Sequence, residues 1–476
     1  MASLKKKPVF KKSAPKPVVK KELPRKPLTG GQSAQKKENA STAPAAPAKK
    51  QIQLLRGMKD ILPRDQHYWK AVYEKAQSIA EDFGFDRIDT PVLEDASLFL
   101  RGLGKVTDIV EKEMYMFEDR DADKVTLRPE NTASIVRAYL QHGMWNQPQP
   151  VKLWYWGPMF RHERPQEGRQ RQFWQAGFEV LGDPSPVIDA MVIQMTWLLY
   201  NEFGVPVTIH INSMGMPDDR TRYKMELVQY YRAHRAEICE NCKARLMKNP
   251  LRVLDCKEEG CQPVKANAPQ IVDYLSNDSR DHFMKVLEYL DELGIPYFLN
   301  HTLVRGLDYY TRTVFEVVTS DEEQGSQTAL CGGGRYDLLV EELGGKPTPA
   351  CGVAPGIERL IVQLKKRQLP LPPQRQPQVY VAQLGDLSRR KAMLLFARLR
   401  AEGVMADQDF SKGSLKAQLE SANAKKIPFA FVIGQKEVQE GTVIMRDMDS
   451  GVQETIDFNK APQILKRKLG IDKSVE

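Results

Sequence analysis

The sequence predicts an α+β protein in which a large domain on an antiparallel sheet carries a helical insertion and precedes a small α/β domain. Three observations predict it. Two strand-like runs, Val151–Tyr155 and Gln175–Leu181, stand on either side of a highly charged loop. From about Met216 to Leu293 the texture turns helical and charged, with strand-like segments bounding it on both sides, as an inserted subdomain reads. Beyond a Pro-rich stretch, Leu369–Gln378 (LPLPPQRQPQ), the pattern becomes βαβαβ, which implies a mostly parallel sheet.

The elements follow in chain order. Residues 1–50 are rich in Lys, Pro and Ala and contain one aromatic residue, Phe10. They hold too little apolar surface to offset the entropy of ordering, so they read as a disordered tail. Such a tail is either a polycationic arm for RNA phosphates, with strong salt dependence, or a solvated solubility element. The large domain is expected over 51–370. Trp69–Phe83 has apolar residues at helical spacing and ends at Gly84, a fitting C-cap. Phe85–Leu93, with Pro91, reads as extended, Val187–Phe203 as a helix and Val205–Ile211 as a strand. After the insertion at about 216–293, strands return at Tyr297–Leu303 and Thr313–Val318, followed by a Gly-rich turn after Leu330. Residues 371–378 form the linker and 379–476 the last domain. There Val379–Leu384 and Phe429–Ile433 are strands, and Leu387–Glu402 and Leu415–Ala424 are helices.

Composition narrows the function classes. Hydrophobic residues make up 41% and charged residues 28%, as in soluble globular proteins. No apolar run approaches the roughly 18–20 residues that span a bilayer, and the basic N-terminus lacks the apolar core of a secretory signal. A cytoplasmic protein is expected, with no membrane partner. The net charge of +9 belongs to the tail: residues 1–50 carry 14 Lys and Arg against two acids, leaving 56 basic and 59 acidic residues elsewhere. The high charge is therefore no argument that the folded domains bind nucleic acid. No Walker A sequence is present and no GxGxxG follows a strand, so any bound ATP is held by another device.

Trp154–Gly182 (WYWGPMFRHERPQEGRQRQFWQAGFEVLG) is the sharpest chemical signal. Arg161 closes a strand, a loop with Arg164, Gln166, Arg169, Gln170 and Arg171 follows, and the next strand carries Gln175 and Glu179 on one face. Paired antiparallel strands with a cationic loop offer a polyanion site above a sheet, where a guanidinium can clamp an α-phosphate and stabilise charge developing in an in-line displacement. An exposed hairpin with solvated charges is the alternative. Trp154, Trp156, Phe160, Phe173 and Trp174 weaken it, because so many aromatics imply burial.

FRHERP followed by RQFWQAGFEV resembles motif 2 of the class II aminoacyl-tRNA synthetases in its histidyl form. GFDRIDTPVLED resembles motif 1, the dimer-interface segment, and GVAPGIERL at Gly352–Leu360 resembles motif 3. LVRGLDYYT at Leu303–Thr311 and ALCGGGRYD at Ala329–Asp337 are similar to segments diagnostic of the histidyl branch, and RGMKDILP and LRPENTA also match. The resemblance covers roughly Gln51–Gly470. It implies a class II synthetase antiparallel-sheet catalytic domain and a C-terminal anticodon-binding domain. It further implies ATP as substrate with Mg2+, histidine and tRNA(His) as partners, and a homodimer.

Position by position, the resemblance places Glu130, Asn131, Thr132 and Gln175 around the histidine α-ammonium, and Glu179, Tyr309 and Tyr310 around the imidazole. A site matched to the ring's donor and acceptor rejects apolar isosteres strongly. Arg161 and Arg305 would take catalytic places on two sides of the α-phosphate. Arg161, Arg169 and Arg359 would bind ATP, and Arg169, Gln170 and Arg171 would meet the tRNA acceptor end. The basic residues Arg389, Arg390, Lys391, Lys412, Lys416, Lys425 and Lys426 of the last domain would meet tRNA phosphates, or form a solvated face. Singly, each site residue has a structural alternative: Glu130 as a helix N-terminal acid, the tyrosines as plain strand residues, Gly332–Gly334 as a tight turn. Jointly, in this order, the functional reading prevails.

Cys239-x2-Cys242 and Cys256-x4-Cys261 supply four thiols whose paired spacing suits a structural zinc ion, with reduced, unliganded thiols as the alternative. Cys331 and Cys351 read as small packing residues. The rival function is a catalytically silent paralogue that serves as the histidine-sensing regulatory subunit of ATP phosphoribosyltransferase. An uncharged-tRNA sensor is a third. The presence of Arg161, Arg305 and Arg359 together with a complete C-terminal domain favours the enzyme.

Overall fold

The computed structural model describes residues 52–104, 107, 109–320, 329–373 and 375–471. The tail expected over residues 1–50 lies outside them. The large domain is organised on an eight-stranded sheet. In spatial order its strands are Asp86–Arg87, Val151–Phe160, Gln172–Leu181, Ala350–Val353, Cys331–Arg335, Thr311–Thr319, Val207–Ser213 and Tyr297–Leu299. Only the two edge pairings are parallel; every pairing between Val151–Phe160 and Val207–Ser213 is antiparallel. An α+β fold on an antiparallel sheet is therefore observed, as the sequence predicts.

Period-2 alternation divides this sheet into two faces with separate cores. In the strand Gln172–Leu181, Ala176, Phe178 and Val180 turn to one side. There they pack with the helices Gln66–Asp82, Pro186–Asn201, Asn277–Glu292 and Ile357–Lys366. Helix Gln66–Asp82 buries Ala71, Val72, Ala76, Ile79 and Ala80 along one stripe, then stops where Gly84 takes a left-handed conformation at φ +70°. Of the aromatic residues expected to be buried, Trp154, Trp156 and Trp174 close this layer, while Phe173 packs on the opposite face and Phe160 is half-buried. Trp69 meets Trp156 and Trp174 edge-on at centroid distances of 6.4 and 5.9 Å. The opposite face carries Tyr155, Tyr309, Tyr310 and Tyr336 and is the face of the functional site.

The segment after Leu330 departs from expectation. Cys331–Arg335 is an interior strand of the sheet, paired on both sides, and not a turn. Glycine is needed there for closeness, not for bending: a Cβ on Gly333 would overlap the Gly352 carbonyl oxygen. Arg335 then anchors the strand. Its fully buried guanidinium donates to Asp189 Oδ1 from Nε at 2.9 Å and to the carbonyls of Asp183 and Ser185 at 3.0 Å each. His282 Nε2 lies 2.7 Å from the other Asp189 oxygen. Burial alone would raise the Asp189 carboxyl, but Arg335 and His282 outweigh it and hold the group at about 2.

Between Val207–Ser213 and Asn277–Glu292 lie the helices Pro217–Ala233 and Glu240–Lys248 and a run of short turns. Their apolar side chains, among them Tyr223, Leu227, Tyr231 and Leu251, join the core on the site face. Helix Asn277–Glu292 packs instead on the far face through Phe283, Val286, Leu287 and Leu290.

The C-terminal sheet has five strands in the order Ala406–Asp407, Val379–Gln383, Phe429–Ile433, Thr442–Asp447, Gln453–Asp457. It is mixed, not mostly parallel, because Thr442–Asp447 and Gln453–Asp457 add an antiparallel hairpin to one edge. Those two strands are half-exposed and rich in charged and polar residues, so they lack the apolar run that marks the central strands.

Candidate active site

The site is a cavity of about 440 Å³ on the tyrosine-bearing face of the sheet. One end is a buried polar pocket. Glu179 comes from the strand Gln172–Leu181 and is fully buried. It accepts a hydrogen bond from Thr132 Oγ1 at 2.7 Å and another from the Tyr336 hydroxyl. Burial pushes its carboxyl up to about 8, against the opposing effect of those two donors. Burial thus disfavours the charged form of this carboxyl, which the two hydroxyl donors only partly offset. Room for it depends on glycine: a Cβ on Gly352, its cross-strand neighbour, would overlap the carboxylate.

Glu130 is both an acid at a helix start and a residue of the cavity wall. Its two oxygens accept from the Thr132 and Ala133 amides at 2.7 and 3.0 Å, so it caps the helix Thr132–Gln141, as the bland alternative expected. It also lines the cavity and is buried, which raises its carboxyl. Gln175 lines the same pocket, and its Oε1 has no hydrogen-bond partner among the described residues. An unpaired buried acceptor is costly, so it marks a place for a donor on a ligand. Tyr309 and Tyr310 complete the wall with ring centroids 4.7 Å apart.

Asn131 is not brought into the cavity. Its Oδ1 accepts from Thr90 Oγ1 at 2.7 Å and from Arg128 Nη1 at 2.9 Å, tying the helix start to the extended segment before it. The sequence shows the residue beside Glu130 and Thr132 but not which way a helix cap turns it.

The other end is cationic. Arg161 is held by a bond from Nε to the Pro129 carbonyl at 2.8 Å and lies 5.2 Å over the Phe173 ring. Arg169 closes a tight turn with Gln166 through paired backbone bonds of 3.1 and 2.9 Å and sits 3.6 Å from Glu163. Arg359 donates from Nε to the Gly168 carbonyl at 3.4 Å and from Nη1 to the Ala329 carbonyl. Its guanidinium is held below the ordinary value, first by burial and then by Arg169 beside it. Guanidinium groups gathered along one wall of a cavity are a site prepared for a polyanion. Arg305 lines the same cavity, paired with Glu316 and 5.7 Å over the Tyr310 ring, and its Nε has no hydrogen-bond partner among the described residues.

Gln170 lines a neighbouring cavity with Trp69 and Trp174, and Arg171 packs on Gly57 while donating from Nε to the Glu163 carbonyl at 3.4 Å. Neither shares the main cavity with Arg169. Sequence reasoning missed several residues of the site. Tyr336 lay inside a quoted motif, and Glu316 is the lone acid in an apolar strand, so both carried a signal. Arg252, Asp255 and Lys257 of the insertion also line the cavity, and nothing local announces them. Cys331 and Cys351 are buried, and burial raises both thiols, as suits packing residues.

The family model for histidyl-tRNA synthetase matches residues 57–360, and that for an anticodon-binding domain matches residues 378–468. Among similar proteins is a histidine–tRNA ligase from Dehalococcoides mccartyi, 46% identical over 415 residues that cover 87% of this chain and 99% of the relative. Another, from Pelotomaculum thermopropionicum, is 46% identical over 87% of this chain and 97% of its own length. A crystal structure of apo histidyl-tRNA synthetase from S. aureus superposes with a TM-score of 0.73 at 35% identity, covering 87% of this chain and all of that one. A polar pocket joined to an arginine cluster on an antiparallel sheet, and a matching C-terminal domain, thus accompany similarity along nearly the whole folded chain. The chain belongs to the histidyl-tRNA synthetase family.

Proposed function

We propose that the chain is a histidine–tRNA ligase, which activates histidine with ATP and transfers it to the 3′ end of tRNA(His). The observation that carries this is one cavity with two chemically opposite ends: Glu130, Thr132, Gln175, Tyr309 and Tyr310 line one, backed by Glu179 behind Thr132 and Tyr336, and Arg161, Arg169 and Arg359 line the other, with Arg305 in the same cavity beside Tyr310. The first end offers acceptors for an ammonium and both kinds of partner for an imidazole. The second offers guanidinium groups for phosphates. ATP would enter as its Mg2+ complex, the ion supplying positive charge to offset that of the phosphates.

In the first step a histidine carboxylate oxygen attacks the α-phosphorus. The new O–P bond forms as the bond to pyrophosphate breaks, giving histidyl-adenylate. Arg161 and Arg305 hold the α-phosphate from two sides and stabilise the charge that grows on it. In the second step a hydroxyl of the terminal tRNA ribose attacks the activated carbonyl and AMP leaves. Arg169, with Gln170 and Arg171 on the same loop, meets the acceptor end, and the domain at 379–476 binds the anticodon region.

The enzyme acts in the cytoplasm as a homodimer. No helix among the described residues is long and apolar enough to cross a membrane. Support for the dimer lies in the three-stranded sheet Leu93–Asp95, Lys124–Leu127, Tyr115–Glu118, whose register aligns Leu93, Leu127, Tyr115, Val125 and Phe117 on one face, with Asp95 at its margin opposite Val125. Leu93 and Phe117 are 44% and 48% exposed there, an apolar surface that a second copy of the chain covers. A structural Zn2+ on Cys239, Cys242, Cys256 and Cys261 belongs to the same proposal.

Histidine-dependent ATP–pyrophosphate exchange tests it, followed by charging of tRNA(His). Exchange with histidine and with no other amino acid is expected. A folded protein that binds histidine without exchange would instead be a regulatory paralogue.

A further inference from the structure

The four cysteines of the insertion form a cluster whose geometry goes beyond their spacing. Their Sγ atoms all lie within 4.8 Å of one another, and Cys239 and Cys256 stand 3.9 Å apart. Four thiolates at about 2.3 Å from a central Zn2+ would be about 3.8 Å apart, so the cluster needs little contraction to close on an ion. A disulfide needs about 2.05 Å between sulfurs, which this pair does not approach. The backbone is also arranged for thiolates. The Cys242 amide donates to Cys239 Sγ at 3.4 Å, at the first turn of the helix Glu240–Lys248, and the Cys239 amide donates to Cys261 Sγ at 3.1 Å. Lys265 Nζ lies 3.4 Å from the Cys256 carbonyl oxygen and brings positive charge beside a site that would carry a net charge of about −2 with zinc bound.

The cluster has a second face. Cys256 stands between Asp255 and Lys257, and both line the catalytic cavity, as does Arg252 four residues earlier. The stretch from Asn249 to Lys257 is built from one short turn, Pro250–Val253, and a loop. Among its ties are the buried Leu251, Val253 and Leu254, a bond from Arg245 Nη1 to the Arg252 carbonyl at 3.2 Å, the Arg252–Asp255 pair at 3.7 Å, and bonds from Gln262 Nε2 and Lys265 Nζ to the Cys256 carbonyl at 3.0 and 3.4 Å. So short an element depends on such tertiary ties, and a metal ion at Cys256 would add a covalent-strength one beside the cavity wall.

We propose that Cys239, Cys242, Cys256 and Cys261 bind one zinc ion as a tetrathiolate, and that this ion positions the Arg252–Lys257 wall of the catalytic cavity. The three tied segments are the start of helix Glu240–Lys248, the loop at Cys256 and the start of helix Gln262–Ala266. Bound together, they clamp the loop at Cys256 beside the cavity wall. The second half of the proposal rests on the ligase reading; the first does not.

The test uses the full chain. Purified under reducing conditions, it is expected to hold one zinc per chain by elemental analysis and to release it as a mercurial titrates four thiols. Cobalt exchanged into the site should give the intense visible bands of tetrahedral thiolate coordination. Cys261→Ser should lose the metal, and Cys261→His, which keeps a zinc ligand, should retain it. Metal-stripped protein should show a several-fold rise in the ATP KM of histidine-dependent exchange with a smaller change in kcat. Far less than one zinc per chain, without tetrahedral cobalt bands, would overturn the site. One zinc per chain with an unchanged ATP KM after stripping would overturn the positioning role. No exchange in the zinc-loaded protein would count against the ligase reading and leave the metal site standing.

Discussion

Replacing Arg305 by Ala separates binding from chemistry. Its guanidinium side chain is 18% exposed, pairs with Glu316, and lines the cavity 5.7 Å over the Tyr310 ring, with no bond to Glu130 or Glu179 among the described residues. Removing a preorganised donor from developing charge typically costs about 2.7–4 kcal/mol, or roughly 10²–10³ in turnover. Histidine itself keeps Glu130, Thr132, Gln175 and Glu179, so its affinity should fall by no more than about tenfold, near 1.4 kcal/mol. The variant also strands Glu316, an anion now facing phosphate. Glu316→Gln added to Arg305→Ala should therefore recover part of the loss, on the order of tenfold. Exchange kinetics give the turnover, and calorimetry gives the histidine affinity. Equal losses in both would refute the role assigned to Arg305, and a double variant no better than the single one would refute the account of Glu316.

Other consequences can be measured independently. With the Glu179 carboxyl at about 8 in the folded chain and near its ordinary 4.5 when unfolded, the folded state holds the extra proton, so stability is full below about 4.5 and lost as the pH rises toward 8. The stability difference between the native chain and Glu179→Gln, from urea unfolding of ligand-free protein, should fall by about 1.4 kcal/mol per pH unit across that window; a difference flat in pH would contradict the buried neutral acid. Arg335→Ala leaves Asp189 buried without its main partner and should cost about 3–5 kcal/mol in unfolding free energy, whereas a loss under about 1 kcal/mol would mean the strand is anchored elsewhere. Phe117→Asp should convert the species seen by light scattering from two chains to one while the far-ultraviolet dichroism stays native; an unchanged mass would remove that face from the dimer contact.

What was legible in the sequence follows physical lines. Leu415–Ala424 and Phe429–Ile433 are found with the bounds expected, because a run of good helix formers and an uninterrupted apolar run each carry a local signal. The cationic hairpin was legible because its aromatics and arginines are incompatible in one exposed loop. The strand Cys331–Arg335 was not, since glycines give neither periodicity nor propensity, and only their neighbours show why they are there. Orientation was also hidden: Glu130, Asn131 and Thr132 are adjacent in sequence, yet Asn131 turns to Arg128 while the others face the cavity. The contribution of Arg252, Asp255 and Lys257 depends wholly on how the insertion folds back, which no window of residues contains.

The glycines that resisted sequence reading also explain how one sheet supports both ends of the site. Gly332 lies opposite Glu316 on the neighbouring strand, and a Cβ there would overlap the Arg305 guanidinium that Glu316 holds. Gly352 lies opposite Glu179, where a Cβ would overlap the carboxylate. Arg305 and Glu179 therefore each rest against bare backbone on an adjacent strand. Side chains in those two places would push Arg305 and Glu179 toward the ligand space and fill the cavity that the sheet keeps open. A bare strand has little packing of its own to fix its position, and here Arg335, two residues beyond Gly333, supplies the fixing through Asp189. The buried ion pair below the sheet and the open pocket above it are thus two parts of one arrangement, and loosening Arg335 should blur the placement of Arg305 and Glu179 together.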